Sequence, residues 1–140
     1  MSLNVVTHLN FRGQAREALT FYHSVFGGDL TVVTYQDMHS AQNPADADHV
    51  MWGQVSAENG FRVMAYGVQT DRSFERGDRS FYIALRGQNE EEVKKSWAGL
   101  SKDAKILQPL EPAQFAPLYG MLTDRFGITW IVDVATEHAA

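Results

Sequence analysis

The chain has 140 residues, 44% of them hydrophobic and 21% charged, the profile of an ordinary globular domain rather than of a disordered or membrane-embedded chain. No apolar run approaches the roughly 20 residues needed to cross a bilayer, and cysteine is absent, which excludes disulfides, thiolate nucleophiles and thiolate zinc sites. The formal net charge of −5 with scattered Lys and Arg argues against a nucleic-acid partner, and Met1–Val6 lacks the basic and apolar regions of a secretory signal, so a cytoplasmic location is expected.

Leu3 to Phe11 alternates and predicts a strand, with Leu3, Val5, Thr7, Leu9 and Phe11 on one face and Val6, His8 and Asn10 on the other. Arg12-Gly13-Gln14 makes a turn. From Ala15 to Phe26 the apolar period becomes helical, through Ala15, Ala18, Leu19, Tyr22, Val25 and Phe26, and Gly27-Gly28 stops the helix. Leu30–Tyr35, rich in Thr and Val, is a second strand. Gln36–Asp48 is polar and aperiodic and reads as a mobile loop of a length often used in lids or binding loops. Val50–Ser56 and Phe61–Tyr66 are strands joined by the turn Ala57-Glu58-Asn59-Gly60, and Gly67–Arg79 reads as a linker.

The pattern then restarts. Phe81, Ile83 and Leu85 alternate with Tyr82, Ala84 and Arg86. Asn89 followed by Glu92 forms a capping box, and Glu90-Glu91-Glu92 sits at the positive end of a helix striped by Val93, Trp97 and Leu100. Lys105–Leu107 is a short strand cut by Pro109, and Pro112 and Pro117 keep the next stretch irregular. Tyr119–Thr123 and Thr129–Val134 are the last strands, before a frayed tail over Thr136–Ala140.

Arg-Gly-Gln recurs at residues 12–14 and 86–88, each time after an alternating strand and before a helix. Two strand–helix–strands modules, about 3–67 and 80–134, are therefore expected within one domain spanning 1–140. Each half has one helix to cover its sheet, and two halves can bury their apolar faces by forming one curved mixed sheet whose concave side is a pocket. Superimposing the repeats sets Tyr82 opposite His8. Alternation puts Val6, His8, Asn10, Tyr82 and Ala84 on the cavity side. On the last strand both faces are apolar and alternation leaves two options; the favoured one directs Trp130, Val132 and Val134 to the helix, and Thr129, Ile131 and Asp133 to the cavity.

The run His8-Leu9-Asn10-Phe11, Gly13, Ala15-Arg16-Glu17-Ala18-Leu19, Phe21-Tyr22 and Val25-Phe26-Gly27-Gly28 resembles the opening of PhnB-like proteins. These form a branch of the vicinal oxygen chelate superfamily, with the glyoxalase and bleomycin-resistance proteins. Asn89–Val93, Trp97, Leu100-Ser101 and the stretch Leu118–Trp130 resemble the same family, so the likeness covers nearly the whole chain. It implies an α+β fold of paired βαβββ modules, and usually a homodimer. A dimeric ferredoxin-like domain shares short α+β modules but not this full-length likeness. Many members are labelled 3-demethylubiquinone-9 3-methyltransferase, yet no glycine-rich nucleotide or S-adenosylmethionine loop stands in this sequence.

In the metal-dependent members of the superfamily, His, Glu or Gln side chains from the first and fourth strands of each module hold one divalent ion, which polarises a substrate oxygen. Carried over position by position, these places read His8, Met64, Tyr82 and Ile131. The resemblance thus implies one ligand of four, His8. PhnB-like sequences often carry Met-His on the third strand, followed shortly by Glu; here it reads Met51-Trp52-Gly53-Gln54. Two functions follow. The first is a binder or metal-free enzyme that cups a small organic ligand, as the bleomycin-resistance relatives sequester a compound. Its pocket would be lined by His8, Asn10, Trp52, Gln54, Arg62, Met64, Tyr66, Tyr82 and Ile131. The second is a divalent-metal-dependent glyoxalase or dioxygenase that uses His8. Ser24, Ser56 and Ser80 lack the Gly-x-Ser-x-Gly setting of a hydrolase nucleophile.

Overall fold

The computed structural model describes residues 4–77 and 79–135. The chain divides into two compact units, Met1–Gly77 and Asp78–Ala140, and hydrogen bonding groups eight strands into two four-stranded sheets, one per unit. Each unit runs strand–helix–three strands. The expected frayed tail, and the Leu3 start of the first strand, lie outside the described residues.

The first unit comprises β1 (Thr7–Phe11), α1 (Ala15–Phe26), β2 (Asp29–Thr34), β3 (Val50–Ser56) and β4 (Arg62–Gly67), with strand order β1-β4-β3-β2. β1 and β4 run parallel, because a crossover that contains a helix returns the chain in the same direction. The other neighbours are antiparallel. α1 buries Ala15, Ala18, Leu19, Phe21, Tyr22 and Phe26 against Leu9, Phe11, Val55, Val63 and Ala65. Fully burying each large apolar side chain contributes about 1.5–3 kcal/mol, which makes this the main cohesion of the unit. Gly53 belongs to the packing: a Cβ there would strike the Leu19 side chain, which is wholly buried. Val5, expected on the apolar face of the first strand, instead precedes β1 and is fully exposed. The parallel ladder starts at Thr7↔Val63, so Val5 has no strand opposite it.

The loop Gln36–Asp48 is more ordered than its aperiodic sequence suggests. Asn43 caps a 3-10 turn over Pro44–Asp46, its side-chain oxygen accepting from Ala45 N at 2.9 Å. Asp46 is 3% exposed. Its Oδ2 accepts from the backbone N and the hydroxyl of Thr70, at 3.2 and 3.1 Å. Tyr35, also buried, donates its hydroxyl to the Gly67 carbonyl at 2.8 Å. The segment after β4 is likewise held on its own unit: Val68 is buried and donates its N–H to Phe11 O at 2.7 Å, and Arg12 donates to the Arg72 carbonyl while lying over the Phe74 ring. Apolar periodicity is blind to such anchors because they are single hydrogen bonds and ring contacts, most of them to a distant stretch of chain.

The second unit comprises β5 (Ile83–Gly87), α2 (Glu90–Leu100), β6 (Lys105–Ala113), β7 (Ala116–Thr123) and β8 (Thr129–Val134), in the order β5-β8-β7-β6. The Asn89 side chain caps α2 by accepting from Glu92 N at 2.9 Å. α2 turns Val93 and Leu100 inward, to a core that includes Leu118, Leu122, Trp130, Val132 and Val134. Trp97 lies over Gly120, where a Cβ would meet its ring.

Two boundaries differ from expectation. β6 continues through Pro109 and Pro112 to Ala113, and β7 starts before Pro117. β6 is an edge strand, so a missing N–H on its outer side costs no ladder bond, and register shifts along β6–β7 absorb the irregularity. The turn from β7 to β8 is held by Asp124. Its Oδ1 accepts from Phe126 N (2.8 Å) and Ile128 N (3.1 Å), and its Oδ2 accepts from the indole N–H of Trp130 (3.0 Å).

Two stability tests follow. Asp124→Ala strands three donors, two of them on buried residues, and is expected to lower the urea-unfolding free energy by about 3 kcal/mol. A loss below about 1 kcal/mol would mean that water replaces the carboxylate without cost. Gly28 has φ +88°, and a methyl there would run into the Ser56 carbonyl oxygen and Ala57 Cα, whereas Gly13, at φ +80°, has open space around it. Gly13→Ala should cost about 1 kcal/mol for its backbone conformation alone. Gly28→Ala should cost at least about 2 kcal/mol, and equal losses would rule out the backbone collision as the cause.

Candidate functional site

With α1 covering one face of the first sheet, alternation presents the other set of side chains on the opposite face. His8, Met64, Gln54 and Thr31 stand in register across all four strands. Asn10 is paired with Tyr66, and Trp52 with Val33, in the same orientation further along. Arg62 and Ser56 face each other at the far end, the Arg62 Nε donating to Ser56 Oγ at 3.3 Å. Seven residues singled out from sequence thus share this face: His8, Asn10, Trp52, Gln54, Arg62, Met64 and Tyr66. Trp52, Gln54, Met64 and Tyr66 are half-buried, and His8, Asn10 and Arg62 are exposed.

His8 is oriented from two sides. Its Nδ1–H donates to Asn10 Oδ1 at 2.9 Å, and its ring meets Tyr66 edge-on, with centroids 5.3 Å apart at 65°. With the proton on Nδ1, the neutral imidazole presents Nε2 as an acceptor. The surface around it combines aromatic and thioether groups with an amide and an imidazole, which suits a partly apolar organic molecule with a polar edge. It does not suit a divalent ion. The side chains next to His8 are an amide, a phenol and a thioether, and hard or borderline cations need carboxylates or further imidazoles. Among the described residues no three His, Asp or Glu side chains are grouped so as to hold a metal.

In the second unit, Tyr82 directly precedes β5, and the residue level with Ile131 on β8 is Ala84. Ile131 is half-buried and points away from the core residues Trp130 and Val132, as alternation requires. On that same face is a pair that the sequence reading missed. Arg86 forks onto the buried Asp133, with Nε to Oδ1 and Nη2 to Oδ2 both 3.1 Å. The Asp133 hydrogen bonds, and then its charge, hold the Arg86 guanidinium still more firmly protonated than usual. Tyr119 is level with Asp133 and meets Phe115 edge-on at 4.9 Å. Arg86 belongs to the Arg-Gly-Gln repeat and Asp133 to the last strand; only the β5–β8 register makes them partners.

A second group in the first unit lies around a cavity of about 310 Å³ bordered by Tyr35, the loop residues Ser40–Asn43, Asp46, Gln69, Asp71 and Arg72. Asp46 Oδ1 and Gln69 Oε1 are buried there without a hydrogen-bond partner in the protein. His49 Nδ1, itself buried, stands at ion-pair distance, 3.4 Å, from Asp46 Oδ1. A buried acceptor left unpaired costs about 1–3 kcal/mol. Burial, followed by the nearby Tyr66 and Asp46, raises the Tyr35 phenol pKa, so it stays neutral and keeps donating to Gly67 O. None of Tyr35, Asp46 and Gln69 was singled out from the sequence, where each is an isolated polar residue.

The comparisons with known proteins agree with this architecture. PA1353 from Pseudomonas aeruginosa has a crystal structure that superimposes with a TM-score of 0.82 at 31% identity, over 95% of this chain and 98% of that one. The PhnB protein from Bacillus cereus gives 0.75 at 25% identity, over 95% and 100%. A glyoxylase/bleomycin resistance protein/dioxygenase domain from Frankia sp. EAN1pec, 10% identical, gives 0.65 over 97% and 99%, a likeness of fold alone. The 3-demethylubiquinone-9 3-methyltransferase family profile matches residues 3–133, a span that takes in both βαβββ units and the sheet face built around His8. On that match, and with PA1353 and PhnB as relatives over nearly its full length, the chain belongs to this PhnB-like family within the glyoxalase/bleomycin-resistance fold.

Proposed function

We propose that the chain binds a small, partly aromatic organic molecule against the open face of its first sheet, and that it works as a cytoplasmic homodimer without a catalytic metal. The observation that carries this reading is the face itself. Trp52, Met64 and Tyr66 offer apolar and aromatic surface, while His8, Asn10 and Gln54 offer hydrogen-bonding atoms in the same rows. Asn10 and Tyr66 keep the imidazole in one orientation, so His8 Nε2 is ready to accept a hydrogen bond from the ligand. In the second unit, Tyr82 and Ile131 are taken as ligand-facing residues on the strength of the family resemblance.

Methyl transfer, which the family name suggests, is not part of the proposal. The two strand–helix turns read Arg12-Gly13-Gln14 and Arg86-Gly87-Gln88, with one glycine each, and they open onto four-stranded mixed sheets. A nucleotide-type cofactor is ordinarily cradled by a glycine-rich turn at the end of a parallel sheet. The divalent-metal reading rests on His8 alone.

Two measurements test the proposal. A thermal-shift survey of planar organic compounds should yield a saturable ligand whose affinity falls at least about tenfold in Tyr66→Ala, while metal analysis of untagged protein prepared without chelator finds no stoichiometric ion. About one equivalent of metal per chain, lost in His8→Ala, would replace the proposal with the metal-enzyme reading. Sedimentation equilibrium should give twice the chain mass at micromolar concentration, and a monomer would remove the homodimer from the reading.

A further inference from the structure

The turn Ala57-Glu58-Asn59-Gly60 between β3 and β4 answers two separate demands at its last two positions. Gly60 has φ +99°, a left-handed conformation that glycine adopts without a Cβ clash. Asn59 is exposed, yet both ends of its amide are used. Its Oδ1 accepts from Phe61 N at 3.0 Å, and its Nδ2 donates to the carbonyl of Phe26, the last residue of α1, at 3.4 Å. Meeting both demands sets an asparagine directly before a glycine. Among Asn4, Asn10, Asn43, Asn59 and Asn89, Asn59 alone has this neighbour. An asparagine amide can be attacked by the backbone nitrogen of the next residue, and glycine, which has no side chain, hinders that attack least.

We propose that Asn59 is a deamidation site of this protein, closed while the β3–β4 turn is docked on the end of α1 and opened when the turn comes loose. The Gly60 nitrogen bonds to Asn59 Cγ as the Cγ–Nδ2 bond breaks. The amide nitrogen leaves as ammonia, taking the proton that Gly60 gives up, and one water opens the resulting five-membered imide to aspartate or isoaspartate. In sum, an amide and water give a carboxylic acid and ammonia, with no change of oxidation state. In the folded chain both reacting groups are held. The Gly60 N–H donates to Ala57 O at 3.2 Å, and the two hydrogen bonds of the Asn59 amide fix Cγ. The turn is pinned from two further directions. Phe61 stacks on Phe26, with centroids 3.8 Å apart at 13°. Gly28, just past α1, lies so close to the start of the turn that a Cβ would strike Ser56 O and Ala57 Cα. Conversion to aspartate removes the donor to Phe26 and sets a carboxylate beside a carbonyl at the negative end of α1, where negative charge is unfavourable. The change is therefore one-way: the altered turn docks less well than the original.

The test is peptide mapping by mass spectrometry after incubating the full chain in mildly alkaline buffer, folded and unfolded in guanidinium chloride. It reads conversion at Asn59 as the exchange of an amide nitrogen for an oxygen. Because opening of the turn gates the reaction, the folded chain is expected to convert at least about tenfold more slowly than the unfolded one. Phe61→Ala removes the stack and keeps Asn59 and Gly60, so conversion in this folded variant should rise at least about threefold. Asn59→Asp, which installs the product directly, should lower the thermal midpoint by about 3 °C. No conversion in the unfolded chain, equal rates folded and unfolded, or a Phe61→Ala variant that is folded by circular dichroism and converts at the original rate would each overturn the proposal. An unchanged midpoint in Asn59→Asp would overturn the one-way consequence. If Phe61→Ala does not fold, the comparison of folded with unfolded chain decides by itself.

Discussion

A four-stranded sheet has two faces, and each unit of this protein provides one helix. Everything else in the structure depends on that inequality. The helix-facing set in the first unit (Leu9, Phe11, Val55, Val63 and Ala65) is buried, because a half-covered sheet gains its cohesion only on the covered side. The remaining set on the same strands is then released from packing and free to carry chemistry. His8, Asn10, Gln54 and Tyr66 stand together because the period of a strand is two and the β1–β4–β3 register aligns them. A slip of one residue would send His8 into the helix interface and Leu9 to the surface.

Three buried carboxylates fasten parts of the chain to one another. Asp124 spends both oxygens on three donors within its own turn, and Asp133 is matched fork to fork by Arg86. Such groups are complete, and they stiffen the turn and the strand pair they join. Asp46 takes two Thr70 donors on Oδ2 and has His49 Nδ1 at 3.4 Å from Oδ1.

The metal chemistry of the superfamily is separable from its architecture. Both units keep the strand–helix–three-strand order and the glycine-bearing turns. The side chains next to His8 are an amide, a phenol and a thioether, and among the described residues no three His, Asp or Glu side chains are grouped to hold an ion. A fold whose stability comes from its helix-covered faces can change the residues on its open face at little cost to cohesion.

The amino-acid sequence alone determined the element order, the helix stripes, the repeat, and which residues of β1, β3, β4 and β8 share a face. Strand alternation and helical period are local properties, and a span of five to twelve residues displays them. The strands of the last module were harder to bound, because prolines in β6 and β7 look like breakers until the edge position of β6 is known. The tertiary structure decided that Arg86 meets Asp133, that Asp46 reaches Thr70 under a loop with no period, and that Tyr35 meets the Gly67 carbonyl. Each of these depends on where two distant stretches of chain come to rest, and a hydrogen bond of about 3 Å leaves no trace in the spacing of residues along either stretch.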